Sequence, residues 1–197
     1  MKKFFIIIFI LIIAGLGALV YLRYGGARTT SFSSPPPSGN PINTTTPMTI
    51  SSPAFLDSQS IPKQYTCDGT GVNPPLQFSN LPDGTQSLAL LVQDPDAPTG
   101  VWTHWLVWNM AATTTQISEN SVPGGAVQGQ GSSGQNVYGA PCPPVGTGPG
   151  GVHHYIFTVY ALDSELTLPS YSTAQNLQSA MQGHIISQAQ LVGLYGR

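Results

Sequence analysis

Charge is scarce in this 197-residue chain: six Lys and Arg and eight Asp and Glu make up 7% of it. The shortage is also uneven. Lys2, Lys3, Arg23 and Arg28 all precede residue 48, so the 150 residues from Met48 onward carry Lys63 and Arg197 against all eight acids, a net charge of −6. Nucleic acid and anionic lipid repel a surface of that sign, which excludes charge-driven binding to either. Cysteine is nearly absent too, with Cys67 and Cys142 alone. Two readings of that pair stay open. One is a disulfide, which persists in an exported domain and contributes roughly 4 kcal/mol by chain entropy; the other is two buried thiols. Neither cysteine follows the first apolar run closely, so the chain has no lipid-attachment cysteine there.

Long uncharged apolar runs are lacking except at the start. Residues 4–22 are 19 residues without a charge, and as a helix they would span roughly 29 Å, close to a bilayer's hydrocarbon core. Lys2 and Lys3 before the run and Arg23 and Arg28 after it nearly balance, and the expected orientation puts the N-terminus inside. A cleaved signal peptide is the alternative, given the small residues Ala14-Gly15-Leu16-Gly17-Ala18. Residues 25–47 follow, 19 of 23 being Ser, Thr, Pro, Gly or Asn, a composition expected to form a disordered tether. The expected organisation is therefore a single-pass transmembrane anchor over 1–24, a linker over 25–47 and one domain over 48–197. That domain lies outside the cytoplasmic membrane, or is secreted if the leader is cleaved.

Within the domain, Ser87 to Gln93 is apolar and stops at Asp94-Pro95, which places Asp94 at the carboxyl end of a strand. Val101 to Met110 alternates, predicting Trp102, His104, Leu106 and Trp108 on one face and Thr103, Trp105, Val107 and Asn109 on the other. Val152 to Leu162 alternates likewise, with His153, Tyr155, Phe157 and Val159 sharing a face opposite His154, Ile156, Thr158 and Tyr160. The intervening Asn120 to Gly151 is rich in Gly, Pro and Ser and too long for an idle turn. Ser172 to Gln182 reads as a short helix, with Ser172 and Gln175 in capping-box spacing, Ala174, Leu177 and Met181 on one face, and Gly183 ending it. Ile185 to Leu194 reads as a closing strand. Without βαβ alternation, the fold class is mostly β and mainly antiparallel.

Three of the four histidines fall in two short stretches, Asp94-Pro95-Asp96-Ala97-Pro98 with Trp102-Thr103-His104-Trp105, and Gly151-Val152-His153-His154-Tyr155. Titratable groups gathered beside aromatics mark a candidate pocket. Asp94, His104 and His153 have the composition of a two-histidine, one-carboxylate metal face, but no two of them show a tight ligand spacing. Gly129 to Gly134 spells G-x-G-x-x-G, yet no strand feeds it and no helix follows, so a dinucleotide site is not expected. Neither Ser132 nor Ser133 sits in a nucleophile elbow. The bland reading is that Asp94 and Asp96 cap a turn and the histidines are merely satisfied at a sheet edge.

These stretches resemble the phosphatidylethanolamine-binding protein family, specifically its bacterial Raf-kinase-inhibitor-like branch. The resemblance runs from about Ile61 to Arg197 and includes Tyr65-Thr66-Cys67-Asp68-Gly69, Asn73-Pro74-Pro75-Leu76, Tyr138-Gly139-Ala140-Pro141-Cys142-Pro143-Pro144 and Ala180-Met181-Gln182-Gly183-His184. It implies a central antiparallel β-sheet with a second small sheet, short peripheral helices and a small anion pocket at one end. The matching pocket positions are Asp94, Trp102, His104, Pro141, His153 and Tyr155. Two departures stand out: His154 replaces the family's usual Arg, so any ion pair there is lost or becomes pH-dependent, and Ala140 replaces a glycine. The expected function is a non-enzymatic binding module for a small anionic or phosphorylated ligand of the phosphoethanolamine type. His and Tyr donors, with Gly-loop amides, would hold the anion, and Trp102 would face an ammonium. No metal or cofactor is expected. An extracytoplasmic protease inhibitor or interaction protein is the alternative, and a metal-assisted hydrolase a third.

Overall fold

The segment Ser87–Asp94 has no polar face because it has no exposed side: it forms the strand between two neighbours inside the main sheet and is buried at almost every position. The computed structural model describes residues 46–197. The expected transmembrane helix and all but the end of the expected linker lie outside these residues, and among the described residues no helix is long and apolar enough to cross a membrane. Residues 46–197 belong to one compact unit.

The strands are β1 (Thr49–Ser51), β2 (Gln59–Ser60), β3 (Leu76–Ser79), β4 (Ser87–Asp94), β5 (Trp102–Ala111), β6 (Gln116–Ile117), β7 (Val127–Gln128), β8 (His153–Leu162) and β9 (Ile185–Tyr195). A six-stranded sheet runs β2-β9-β8-β4-β5-β7 and a three-stranded sheet runs β1-β3-β6. Every pairing is antiparallel except that of β2 with β9. This is the mostly β, two-sheet architecture expected.

Alternation along β4 divides the interior. Leu88, Leu90 and Val92 join Trp105, Val107, Tyr155, Phe157 and Val159 in the larger core, which also takes Ile50, Leu76 and Phe78 from the small sheet. Ala89 and Leu91 point the other way and pack with Leu106, Trp108, Leu162, Leu177 and Met181. Truncating one of these fully buried leucines costs about 2–5 kcal/mol in comparable cores.

The alternation expected for β8 is observed, but that for β5 fails in two places, and bulges explain both. Leu90 faces Val107 while Leu88 faces Met110; Asn109, at φ 55°, takes up the extra residue. Met110 consequently joins Trp105 and Val107 in the larger core. Nearer the strand's start, Val92 faces Trp105 and Gln93 faces Thr103, which leaves His104 as the extra residue. Leu106 and Trp108 therefore lie in the second core, not on the face of Trp102 and His104.

The helix α1 (Ala174–Met181) covers the second core with Leu177 and Met181. Its cap lies one residue beyond the expected Ser172 and Gln175: Thr173 and Asn176 form the capping box, the Asn176 side chain accepting from the Thr173 amide at 3.0 Å. Cys67 and Cys142 are joined as a disulfide across 75 positions, with Cα atoms 5.3 Å apart. This closes the choice left open by the sequence.

Candidate functional site

β4 ends at Asp94, β5 begins at Trp102 and β8 begins at His153, so antiparallel pairing brings these three termini to one end of the main sheet. A pocket of about 470 Å³ opens there. Asp94, His104, His153 and Tyr155 are its buried titratable residues, with 1–7% of each exposed, and Thr99, Thr103 and Ser133 add polar groups to the lining. Trp102, Ala97 and Pro98 line one side, and Ala140, Pro143 and Pro144 line another.

The turn after β4 is held by its own carboxylates. Asp94 Oδ1 accepts from the Asp96 amide at 2.8 Å, and Asp96 Oδ2 accepts from the His154 backbone at 2.9 Å and from His154 Nδ1 at 2.7 Å. Burial pushes the Asp96 carboxyl up, but the His154 hydrogen bonds outweigh it and hold the group below the usual carboxylate range. Of the two outcomes expected for the replaced arginine, an ion pair lost or one made pH-dependent, the second fits: His154 pairs with Asp96. As anticipated, this side chain lies on the face opposite His153, and it is absent from the pocket lining.

His153 is fully engaged, with Nδ1 on Asp94 Oδ2 at 2.7 Å and Nε2 on Thr147 Oγ1 at 2.9 Å. Thr147 reaches it because the chain turns at Gly148, φ 81°, where a Cβ would stand 2.5 Å from the His153 ring. The bulge aims His104 at the pocket, and its Nδ1 lies 2.7 Å from the Gly139 carbonyl oxygen. A carbonyl only accepts, so Nδ1 carries the proton and Nε2 of the neutral ring presents a lone pair. Burial holds this imidazole below its ordinary value, against the opposing pull of the Gly139 bond and of Asp94. Tyr155 packs edge-on to His104, centroids 5.1 Å apart, and stacks on His153. Its hydroxyl is buried with no hydrogen-bond partner among the described residues, and burial with the nearby Asp94 raises its pKa.

Five of the six expected site residues, Asp94, Trp102, His104, His153 and Tyr155, line this pocket. Pro141 does not: it is buried, its carbonyl accepts the Cys67 amide at 3.0 Å, and its neighbours Ala140 and Pro143 supply the wall. The Ala140 methyl sits opposite Gly71, and a Cβ added there would meet it at 3.4 Å. Expected Gly-loop amides are also largely committed. Gly129, Gly131, Ser132 and Gly139 donate to Leu106, Gln135, Thr103 and His104 carbonyls respectively, so the loop lies along the edge of β5. Asp94, His104 and His153 meet in one pocket, but among the described residues no group of three His, Cys, Asp or Glu has the geometry to hold a metal ion. Ser133 and Thr147 were not anticipated. Thr147 carries no sequence signal; Ser133 lies within the G-x-G-x-x-G letters.

A two-sheet β domain with an end-on pocket, built from strand-terminal Asp and His and closed by a Pro-rich, disulfide-tied loop, defines a binding-protein class of fold. The family model of phosphatidylethanolamine-binding proteins matches residues 51–196, and the chain belongs to that family. It is 43% identical over 155 residues to a UPF0098 protein of Methanothermobacter thermautotrophicus, covering 76% of this chain and 99% of that one. A Mycobacterium tuberculosis chain bearing a lipoprotein name, LppC, is 39% identical over 191 residues, covering 92% and 93% respectively. Among solved structures, a phosphatidylethanolamine-binding protein homologue from Chlamydia trachomatis superposes with a TM-score of 0.71 at 40% identity, covering 77% of this chain and 98% of that one. E. coli YbcL, described as a member of the mammalian family, gives 0.71 at 30% identity, with 76% and 98% covered.

Proposed function

We propose that the domain is a non-enzymatic binding module whose pocket takes a small phosphate-like anion of the phosphoethanolamine type. The carrying observation is a buried Tyr155 hydroxyl with no partner among the described residues, close to the unbonded Nε2 of His104, in a pocket whose walls add Trp102, the hydroxyls of Thr99 and Ser133, and several Ala and Pro residues. A buried polar group without a partner costs about 1–3 kcal/mol, and a ligand oxygen would supply the partner. Trp102 offers a face to the ammonium of such a ligand. The Thr147 hydroxyl lies 2.9 Å from His153 Nε2, but its proton is donated to the Pro144 carbonyl at 2.6 Å. It therefore serves to hold His153 on Asp94 and not as an activated nucleophile; His104 Nδ1 is spent on Gly139. The Raf-kinase-inhibitor label does not carry over, because the apolar run at residues 4–22, the disulfide and the lipoprotein name of one relative all favour an extracytoplasmic domain. A kinase substrate site would not be met there.

Titration of the full chain in mild detergent with phosphoethanolamine and inorganic phosphate, followed by tryptophan fluorescence, tests this. Saturable quenching or enhancement is expected, weakened at least tenfold in Asp94→Ala and His153→Ala. Binding unchanged in both variants would refute the assignment of the pocket.

A further inference from the structure

Lys63 and Arg197, the only Lys or Arg after residue 47, line one groove of about 550 Å³ away from the strand-end pocket, walled also by Ser60, Pro62, Val152 and Tyr195. Lys63 has no ion-pair partner among the described residues. Arg197 reaches past the groove: its Nε lies 3.5 Å from Asp68 Oδ1, and its Nη1 donates to Cys142 Sγ at 3.3 Å. Its position is fixed, since the Gly146 amide donates to its carbonyl at 3.0 Å and the Tyr195 hydroxyl occupies the other oxygen of Asp68. Cys142 is joined to Cys67, and both residues are exposed. The two sulfurs are therefore unlike. Cys142 carries a guanidinium contact, while Cys67 is followed in the chain by the Asp68 carboxylate. A disulfide opens faster toward the sulfur whose thiolate is the better leaving group, and a neighbouring cation makes it so.

We propose that this corner is a thiol-exchange site, with Cys67 as the sulfur attacked, Cys142 as the leaving sulfur and small anionic thiols as the preferred partners. The incoming thiolate, its proton already given to solvent, attacks Cys67 Sγ. The bond between the two protein sulfurs breaks, and its electron pair leaves on Cys142 Sγ beside Arg197. The product is a mixed disulfide on Cys67 and a thiolate on Cys142. A second thiol then removes the group from Cys67 as an external disulfide, so that two thiols supply the two electrons that reduce the bond. Without that second step the Cys142 thiolate returns, because the Cys67 amide still holds the Pro141 carbonyl at 3.0 Å. The net charge of −6 repels a thiol that carries a carboxylate or sulfonate, and the groove of Lys63 and Arg197 is where that sign reverses. Cys142 also lines the strand-end pocket. Exchange thus cuts the covalent tie of one pocket wall, whatever the pocket itself binds.

The test reduces the full chain in mild detergent with 2-mercaptoethanesulfonate and with 2-mercaptoethanol, rates being expressed per thiolate and protein thiols counted by mass after maleimide trapping. At low salt the sulfonate thiol should react about fivefold faster, and the preference should shrink toward one in about 1 M salt. Lys63→Gln should lower that preference and leave the rate with the neutral thiol unchanged. Arg197→Gln should slow both thiols by about threefold or more, as expected when the leaving thiolate loses its cation. Both variants alter exposed side chains, and thermal melts check that they fold. Peptide mapping of early time points should find maleimide on Cys142 and the mixed disulfide on Cys67. A sulfonate thiol that reacts no faster than the neutral one, as the charge of −6 alone would dictate, overturns the role of the groove. Mixed disulfide on Cys142, or exchange that Arg197→Gln leaves unaltered, overturns the assignment of the leaving sulfur.

Discussion

Replacing both Cys67 and Cys142 by Ala should destabilise the domain by roughly 4.5 kcal/mol at 25 °C, the loop-entropy value for the 75 positions between them. Both cysteines are exposed residues, so truncation to Ala opens no cavity and the loss reports the crosslink itself. For a domain whose total stability is about 5–15 kcal/mol, this is a third or more. In urea, with a slope of about 2 kcal/mol/M, the midpoint should fall by about 2 M, and the slope should steepen because the uncrosslinked chain unfolds to a more expanded ensemble. Wild-type protein in reductant should melt like the double variant. Ligand affinity should suffer less than stability, because Gly139 and His104 still hold the pocket loop through two hydrogen bonds of 2.7 Å. A midpoint shift under about 0.5 M with unchanged slope would refute the crosslinking argument.

Stability should fall on acidification. The imidazole of His104 is held below its ordinary 6.5 by burial, so the unfolded chain binds a proton first; the stabilisation is complete above about 6.5 and is lost as pH drops toward the folded value. Asp96, held below 3.8, adds a second loss in more acidic solution, as pH falls through its folded value. Thermal melts should show Tm decreasing from pH 7 to 5, with a shallower slope in His104→Leu; a rise in Tm would contradict the assignment. Tyr155→Phe removes a buried hydroxyl that has no partner, so the ligand-free protein should be unchanged or about 1 kcal/mol more stable while phosphate affinity drops about tenfold; a large loss of stability would mean the hydroxyl is paired. Gly148→Ala places a Cβ 2.3 Å from the Val152 carbonyl oxygen at φ 81° and should cost about 1–3 kcal/mol together with the ligand-induced fluorescence change. Near-normal denaturation would show that the loop relaxes freely.

Much of the site was legible because it sits at strand ends. Asp94 was marked by the proline that follows an apolar run, and His153 with Tyr155 by uninterrupted alternation in β8. The same rule misassigned Leu106 and Trp108 in β5, since a bulge inserts one residue and reverses the faces beyond it without altering composition. The helix cap was displaced by one position because Thr173 and Asn176 offer the same spacing as Ser172 and Gln175. Contacts made by the long loop were invisible: nothing periodic ties Thr147 to His153 or Gly139 to His104, and Pro141 was expected in a wall that its neighbours form. Whether Cys67 and Cys142 were joined depended on a 5.3 Å approach of Cα atoms that no sequence pattern encodes.

The pairing of β4 with β8 has a consequence for how the protein folds. β4 and β5 are joined by a short connection, and β8 reaches β9 across the segment that holds α1, so each pair can form early. β4 meets β8 only by closing a much longer stretch of chain, with Asp94 and His153 59 positions apart, and a contact of that span comes late in a folding reaction. The pocket straddles that seam. It does not exist in either half and is completed by the last docking step, so a ligand bridging Tyr155 and His104 should act mainly as a brake on unfolding, with little effect on the rate at which the domain forms.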